Sequence, residues 1–231
     1  MTIKGVLFDF SGTLLRIESP ESWLRAVLAE TGTDVAEEDT VRLAAELSRA
    51  GALPGGSSPV RLPPGLAALW EDRDRSAGHH RELYTGLARQ VALPDDALYD
   101  ALYERHMTPA AWAPYPDAAA VLGELRRRGI RTGVVSNIGW DLRPVLRAHG
   151  LDRFVDSYVL SYEHGIQKPD PRLFEIACEE LGLAPTDVLM VGDDRTADGG
   201  ATALGCGYLP VDHLPVTDRP DGLRPALALA G

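Results

Sequence analysis

The first strand-like segment of the chain ends in a carboxylate, and this arrangement limits the fold more than any other feature of the sequence. Residues Ile3 to Phe8 form a largely apolar run that is typical of a buried β-strand. Asp9 comes almost directly after it, and the turn-forming residues Ser11-Gly12-Thr13 follow. Ligands of open α/β sheets bind beyond the carboxyl ends of the strands. The opening segment therefore predicts an α/β fold with Asp9 at the binding edge of the sheet.

From residue 114 onward, short apolar segments alternate with amphipathic ones. The predicted strands are Arg131–Ser136, Ser157–Leu160, Val188–Val191 and Gly207–Val211, and the predicted helices are Ala118–Arg128, Leu142–His149, Pro171–Leu181 and Ala197–Leu204. Strands that alternate with helices form a parallel sheet with right-handed crossovers. We therefore expect a Rossmann-like, doubly wound parallel sheet as the core, built from residues 1–16 and 114–231.

Residues 17–113 have a different pattern, because they carry helical periodicity throughout. The predicted helices are Glu21–Thr31, Thr40–Ala50, Gly65–Arg75, Arg81–Gln90 and Asp95–Met107. This pattern predicts a helical domain, which we call the cap, inserted after the first strand. Within the cap, the neighbouring His79 and His80 would face different directions on a helix. We expect them to lie on a solvent-exposed surface and not to bind a metal as a pair.

The composition disfavours some classes of partner. The formal net charge of −11 argues against nucleic acid and against an anionic membrane surface. We find no signal-peptide pattern and no apolar run that approaches about 18 residues, so we expect a cytoplasmic protein. Cys178 and Cys206 lie in apolar surroundings, which favours reduced thiols in the core. The oligomeric state stays open between monomer and dimer.

Polar side chains lie at the ends of further predicted strands and in one loop. They are Ser136 and Asn137 after one strand, Lys168 in a proline-flanked loop, and Asp193, Asp194 and Asp198 after another strand. Because parallel strands end at the same edge of a sheet, these residues should converge on Asp9. Carboxylates that cluster there need a cation, and oxygen ligands suit Mg²⁺. The Ser136 hydroxyl and the Lys168 ammonium suit phosphoryl oxygens, whose charge they would neutralise.

These stretches resemble motifs I to IV of the haloacid dehalogenase superfamily, in the same order, and the helical insert lies where that superfamily has its type-1 cap. The resemblance covers residues 3–16 and 114–211. It implies a hydrolase that acts on a small phosphorylated metabolite, with Asp9 as the nucleophile that becomes phosphorylated. It also implies Mg²⁺ held by Asp9, the Ser11 carbonyl and Asp193, a phosphoryl group held by Ser136, Asn137 and Lys168, and support of the metal ligands by Asp194 and Asp198.

Ser11 departs from the superfamily's phosphatase pattern, Asp-x-Asp-Gly-Thr, in which the second aspartate is the acid/base. A serine hydroxyl cannot carry the proton near neutral pH, and loss of a general acid/base removes about 10²–10⁴-fold in rate. The metal ligand at this position is a backbone carbonyl, so metal binding should survive. We therefore treat Ser11 as a catalytic position with altered proton chemistry.

Three functions stay open. The first is an Mg²⁺-dependent phosphatase that tolerates Ser11, through a leaving group that is stable as an anion or through another acid from the cap. The second is different chemistry. The superfamily's phosphonatases need a cap lysine, which this cap lacks, and its 2-haloacid dehalogenases need no Mg²⁺ and do not share the metal-binding motif seen here at Gly192-Asp193. The third is a binding or regulatory protein that retains the pocket.

Overall fold

The structure, a computed structural model, describes residues 3–230. Its strands are β1 (Gly5–Phe8), β2 (Leu15–Ile17), β3 (Trp112–Pro114), β4 (Arg131–Ser136), β5 (Ser157–Leu160), β6 (Val188–Gly192) and β7 (Gly207–Pro210). Five of them form one sheet in the order β5-β4-β1-β6-β7, with every neighbouring pair parallel. The α/β fold class is therefore confirmed, and β1 lies at the centre of the sheet.

Ten α-helices lie within residues 3–230, five in the cap and five in the core. They are α1 (Pro20–Thr31), α2 (Glu37–Ala50), α3 (Ala67–Glu71), α4 (Ala77–Ala88), α5 (Ala97–His106), α6 (Ala118–Arg127), α7 (Arg143–Ala148), α8 (Ser161–His164), α9 (Pro171–Leu181) and α10 (Pro225–Leu229). Successive residues of β1 belong to different apolar clusters: Val6 and Phe8 to one, Leu7 to the other. Because side chains alternate along a strand, this division shows that both faces are buried, as in a doubly wound sheet.

Two predicted helices differ from the structure. The segment predicted as Gly65–Arg75 is a 3₁₀ turn, Pro64–Leu66, followed by the short α3. The segment predicted as Ala197–Leu204 is a 3₁₀ helix, Asp198–Leu204. Adjacent glycines at 199 and 200 disfavour a regular α-helix there, since glycine has a high conformational entropy to lose.

A two-stranded antiparallel ribbon joins the sheet to the cap. β2 pairs with β3, so that Leu15 lies opposite Pro114 and Ile17 opposite Trp112. The sequence analysis did not predict this ribbon, because three residues are too few to show a strand periodicity. The predicted boundaries at 16/17 and 113/114 fall inside the ribbon, and the division into two domains stays a prediction.

The cap helices pack through long-range contacts. Trp23 of α1 is buried, and its Nε1–H donates to the Leu102 carbonyl of α5 at 2.9 Å. At the base of the cap, Arg105 Nε donates to Glu18 Oε1 at 2.8 Å, and both side chains are largely buried. Within residues 3–230, no helix has both the length and the apolar character that a bilayer crossing requires.

The thiols and the C-terminal segment occupy defined places in the core. Cys178 and Cys206 are buried in the apolar cluster that contains Leu7, and both are free. The segment after β7 returns across the first strand's loop and ends in α10, where Ala226 is fully buried. α10 therefore packs against the core through Ala226.

Phe174→Ala tests the importance of the second face of the sheet. Phe174 of α9 is fully buried in the cluster that contains Leu7. We expect the substitution to lower the free energy of unfolding by about 3–5 kcal/mol, because it removes buried area and leaves a cavity. Urea denaturation measures the change. Leu229→Ala, at a side chain that is 50% exposed, is the control and should change stability by less than about 0.5 kcal/mol.

Candidate active site

Asp9 leaves the central strand at the carboxyl edge of the sheet and is nearly buried. Its N–H donates to the Val191 carbonyl of β6 at 3.0 Å, which continues the sheet pairing by one residue. The following turn needs glycine at position 12. Gly12 has a φ of +78°, and an added Cβ would lie 2.5 Å from Asp193 Oδ2. The turn therefore brings the first and the fourth motif into contact.

Lys168 joins the nucleophile candidate to a second carboxylate. Its Nζ donates to Asp9 Oδ1 at 2.8 Å and to Asp198 Oδ1 at 2.5 Å, and all three side chains are buried. Burial opposes the charged ammonium, but Asp198 and Asp9 more than offset this effect and raise the pKa of Lys168 above its ordinary value. Lys168 is therefore a fixed positive charge.

The Asn137 side chain fixes the backbone of the Lys168 loop. Its Nδ2–H donates to the Lys168 carbonyl at 2.9 Å, and its Oδ1 accepts from the Lys168 N–H at 2.6 Å. Both ends of the amide are thus used within the protein. The contacts that the Asn137 side chain makes are with the backbone of the Lys168 loop. Its contact with a phosphate group stays a prediction.

Three carboxylates share the site with this one ammonium. Asp9, Asp193 and Asp198 each offer one oxygen, and these oxygens lie within 4.8 Å of one another. Burial raises the pKa of Asp9 to about 7, with Lys168 opposing the shift and the two neighbouring carboxylates adding to it. The ionised cluster therefore needs further positive charge. An all-oxygen donor set of this kind fits Mg²⁺, which Asp9 and Asp193 could hold with the Ser11 carbonyl.

Asp193 has its own set of partners. The Thr13 hydroxyl donates to Asp193 Oδ1 at 3.0 Å, and His213 Nδ1 lies 2.5 Å from its Oδ2. Burial would raise the pKa of Asp193, but His213 and Thr13 outweigh it, so that the pKa lies below its ordinary value. Asp193 therefore stays ionised at neutral pH and is available as a cation ligand.

The predicted site residues come together in the structure. Those that line one cavity of about 210 Å³ are Asp9, Ser11, Ser136, Asn137, Lys168, Asp193 and Asp194. Asp198 lies behind Lys168, and its Oδ2 accepts from the Asp194 N–H at 3.0 Å. The Asp194 carboxylate accepts from the N–H groups of Thr196 and Ala197 and thus caps a turn. The roles of all these residues in metal and phosphate binding stay predictions.

The cap closes the opposite side of this cavity. Its contribution comes from the loop at residues 51–58 and from the region around α3 and α4, namely Trp70, Arg73, Asp74, His80 and Tyr84. The loop contacts the core directly: an added Cβ on Gly55 would lie 2.8 Å from Ser11 Oγ. The space above Ser11 is therefore limited by the cap.

The prediction that His80 lies on a solvent-exposed surface is wrong. Its side chain is 3% exposed, and Nδ1 lies 2.8 Å from the Tyr103 hydroxyl. His80 also packs so closely on the core that a Cβ added at Gly139 would meet it at 2.2 Å. The prediction that the two histidines face different directions agrees with the structure, since His79 is exposed. The contact of His80 with the core depends on the tertiary structure.

Sequence reasoning also missed Arg219, which lies in the C-terminal segment. Its guanidinium is buried and donates to the carbonyls of Gly12, Thr13 and Asp212. It also stacks on the Tyr115 ring, 3.2 Å from the ring centroid. Arg219 thus holds the turn that follows Asp9. No periodicity or motif marks it, because it lies in a proline- and aspartate-rich stretch.

Asp193→Asn tests the proposed metal position. Loss of one charged oxygen ligand should weaken Mg²⁺ binding at least about tenfold, or about 1.4 kcal/mol, and titration calorimetry measures it. Asp39→Asn, at an exposed carboxylate in α2, is the matched control and should leave the affinity unchanged. Equal Mg²⁺ affinity in wild type and Asp193→Asn would place the metal elsewhere.

A second prediction concerns the protonation of Lys168. Because Asp9 and Asp198 keep the ammonium charged, Lys168 should not form a Schiff base at neutral pH. Borohydride reduction in the presence of carbonyl compounds, followed by mass spectrometry of the peptide, should give no adduct. A reduced adduct on Lys168 would show that a neutral amine is accessible there.

Comparisons with known proteins identify the family of this chain. Residues 3–203 match the family model of haloacid dehalogenase-like hydrolases. The chain is 34% identical to (S)-2-haloacid dehalogenase 4A of Burkholderia cepacia, over 64% of this chain and 70% of that protein. It is 33% identical to Phosphatase MT3486 of Mycobacterium tuberculosis, over 92% of this chain and 89% of that protein.

A solved structure extends the likeness to three dimensions. The crystal structure of a dehalogenase with an intermediate complex superposes with a TM-score of 0.66 at 25% identity, and covers 91% of this chain and 85% of that one. Phosphatases and dehalogenases thus both occur among the relatives, and the shared class is hydrolysis. On the match over residues 3–203, the chain belongs to the family of haloacid dehalogenase-like hydrolases.

Proposed function

We propose that the protein is an Mg²⁺-dependent phosphatase that acts on a small phosphorylated metabolite. The observation that carries this proposal is the cluster of Asp9, Asp193 and Asp198, whose oxygens lie within 4.8 Å of one another. Lys168 and Ser136 border the same cavity and provide a cation and a hydroxyl for phosphoryl oxygens. A cluster with this much negative charge suits metal-assisted phosphoryl transfer.

Asp9 is the nucleophile in this proposal. Lys168 Nζ donates a hydrogen bond to Asp9 Oδ1, which leaves Asp9 Oδ2 to attack the phosphorus atom. The bond from phosphorus to the leaving oxygen breaks, and an aspartyl phosphate forms. Water then attacks that phosphorus, and the Asp9 carboxylate is released together with inorganic phosphate.

The remaining groups stabilise charge. Lys168 is held by Asp9, Asp198 and the Asn137 amide, so that its ammonium needs no rearrangement when charge develops on the phosphoryl group. Ser136, which is buried and borders the cavity, can donate its hydroxyl to the same group. Mg²⁺, when bound, would supply further neutralisation of the phosphoryl oxygens.

The cavity restricts the substrate to a small molecule. Its volume is about 210 Å³, and the cap loop lies directly above the Asp9 side of the site. Three tryptophans, Trp70, Trp112 and Trp140, form part of its wall. A small phosphorylated metabolite fits this space, whereas a nucleic acid or a membrane surface would need an open, basic face, which a chain with a net charge of −11 is poorly suited to provide.

Dehalogenation is the second candidate. Asp9 would then attack a halogen-bearing carbon and release halide, and water would hydrolyse the resulting ester. The dehalogenases among the relatives and the solved structures favour this possibility. The acidic cluster weighs against it, because the family resemblance implies that 2-haloacid dehalogenases need no metal.

A substrate panel separates these functions. Phosphate monoesters, acyl phosphates and 2-haloacids are assayed with Mg²⁺ and with EDTA, and both phosphate and halide release are measured. We expect phosphate release that EDTA abolishes, that added Mg²⁺ restores and that Asp9→Asn reduces at least about 10³-fold, because the covalent step is lost. Halide release that survives EDTA would identify a dehalogenase. Binding of Mg²⁺ and phosphate without turnover would identify a binding protein.

A further inference from the structure

Ser11 does not supply the proton that the leaving oxygen of an alkyl phosphate needs. A serine hydroxyl is a poor acid near neutral pH. The cap loop at Gly55 also lies against Ser11 Oγ, where an added Cβ would come within 2.8 Å. If the protein cleaves phosphate esters of ordinary alcohols, the proton for the leaving oxygen must come from another residue that borders the cavity.

We propose that Asp74, in the turn between α3 and α4 of the cap, is the general acid and general base of this site. The proposal rests on the phosphatase function given above and deepens it, because it assigns the proton transfer. In an in-line displacement, the leaving oxygen lies on the side of the phosphorus opposite to Asp9. That side faces the cap, and Asp74 borders the same cavity as Asp9 and Ser11.

Hydrogen bonds to the core fix the position of Asp74. Its N–H donates to Gln167 Oε1 at 3.3 Å, and its carbonyl accepts from Ser161 Oγ at 2.5 Å. Gln167 directly precedes Lys168, whose ammonium donates a hydrogen bond to the nucleophile Asp9. The backbone of Asp74 is therefore tied to the loop that carries the Lys168 ammonium.

The surroundings of the Asp74 carboxyl suit an acid. Its side chain is 8% exposed, with Arg73 Nε at 3.4 Å and His80 Nε2 at 3.9 Å. Burial raises the pKa of Asp74, and the positive charges of Arg73 and Lys168 oppose the shift without reversing it. A fraction of the carboxyl therefore keeps its proton at a pH where an exposed aspartate has lost it.

The other titratable cap residues that border the cavity are less suitable. Burial lowers the pKa of His80 well below its ordinary value, with His106 and Arg73 adding to the effect, so that the imidazole is neutral. Its Nδ1 is also engaged with the Tyr103 hydroxyl. Burial, with the charge of Asp74 adding to it, raises the pKa of Tyr84 above its ordinary value, which makes the phenol a weak acid. A guanidinium group such as that of Arg73 is not a useful proton donor in acid catalysis.

The proton balance closes over the two half-reactions. As Asp9 Oδ2 bonds to phosphorus, the bond to the leaving oxygen breaks with its electron pair, and that oxygen takes the proton of the Asp74 carboxyl. The alcohol departs, and Asp74 is ionised. The Asp74 carboxylate then takes a proton from the attacking water as the bond between phosphorus and Asp9 breaks. Phosphate leaves, and Asp74 is protonated again.

Asp74→Asn tests the assignment with two leaving groups. An alkyl phosphate needs an acid, whereas p-nitrophenyl phosphate releases a stable anion. We expect kcat/KM to fall about 10²–10⁴-fold for the alkyl phosphate and less than about tenfold for the aryl phosphate. The second half-reaction also loses its base, so a phosphorylated Asp9 should accumulate with p-nitrophenyl phosphate and be visible by mass spectrometry at low pH.

The pH profile gives an independent readout. Only the protonated carboxyl can donate, so wild-type kcat/KM for the alkyl phosphate should fall as the pH rises through the pKa of Asp74. This alkaline limb should be absent in Asp74→Asn. Asp72→Asn removes an exposed carboxylate from the same turn, where it pairs with Arg75, and should change neither substrate's kcat/KM nor the profile.

The outcomes separate this inference from the function on which it rests. If wild type releases no phosphate from either ester, both proposals fail. If wild type hydrolyses both esters and Asp9→Asn abolishes both activities, the phosphatase function stands. The role of Asp74 is then overturned by an Asp74→Asn variant that is folded by circular dichroism and that loses both activities equally, or neither.

Discussion

The buried contact of Lys168 with Asp9 and Asp198 is the interaction on which the rest of the site depends. A buried ammonium is stable only when it is paired and hydrogen-bonded, and here two carboxylates share it at 2.8 and 2.5 Å. The pairing fixes one oxygen of Asp9 and leaves the other free. With Asp193 beside this pair, three carboxylates face one ammonium. This excess of negative charge is what suits the cluster to a divalent cation.

This charge cluster is held by backbone contacts from distant parts of the chain. Arg219 donates to the carbonyls of Gly12 and Thr13, while the Asn137 amide holds both the N–H and the carbonyl of Lys168. Arg219 thus holds the turn after β1, and Asn137 holds the loop before α9. Because a small displacement of a reacting group costs a large factor in rate, the C-terminal segment contributes to the position of Asp9 although it supplies no strand to the sheet.

The sequence predicted those parts of the structure that follow from topology. Asp9, Ser136 and Asp193 converge because parallel strands end at one edge, and this rule needs no knowledge of packing. The burial of His80 and the clamp of Arg219 were not predictable in this way, since both depend on which surface lies against which. The ribbon of β2 and β3 was too short for any periodicity, and the segment from Asp198 was assigned to the wrong helix type because two glycines alter its backbone.

The proposed general acid is Asp74 of the cap, and not the residue at position 11 of the core. This difference has a structural consequence. The cap loop lies against position 11, where a Cβ on Gly55 would come within 2.8 Å of Ser11 Oγ. In our proposal Asp74 carries the proton, so a serine suffices at position 11 and the loop at residues 51–58 can lie against it. The acid is then connected to the core through the bonds of Asp74 to Ser161 and Gln167, so proton transfer depends on the contact between cap and core. Under this proposal, a substrate can receive the proton only while the cap lies against the core, where it also shields the cavity from bulk water.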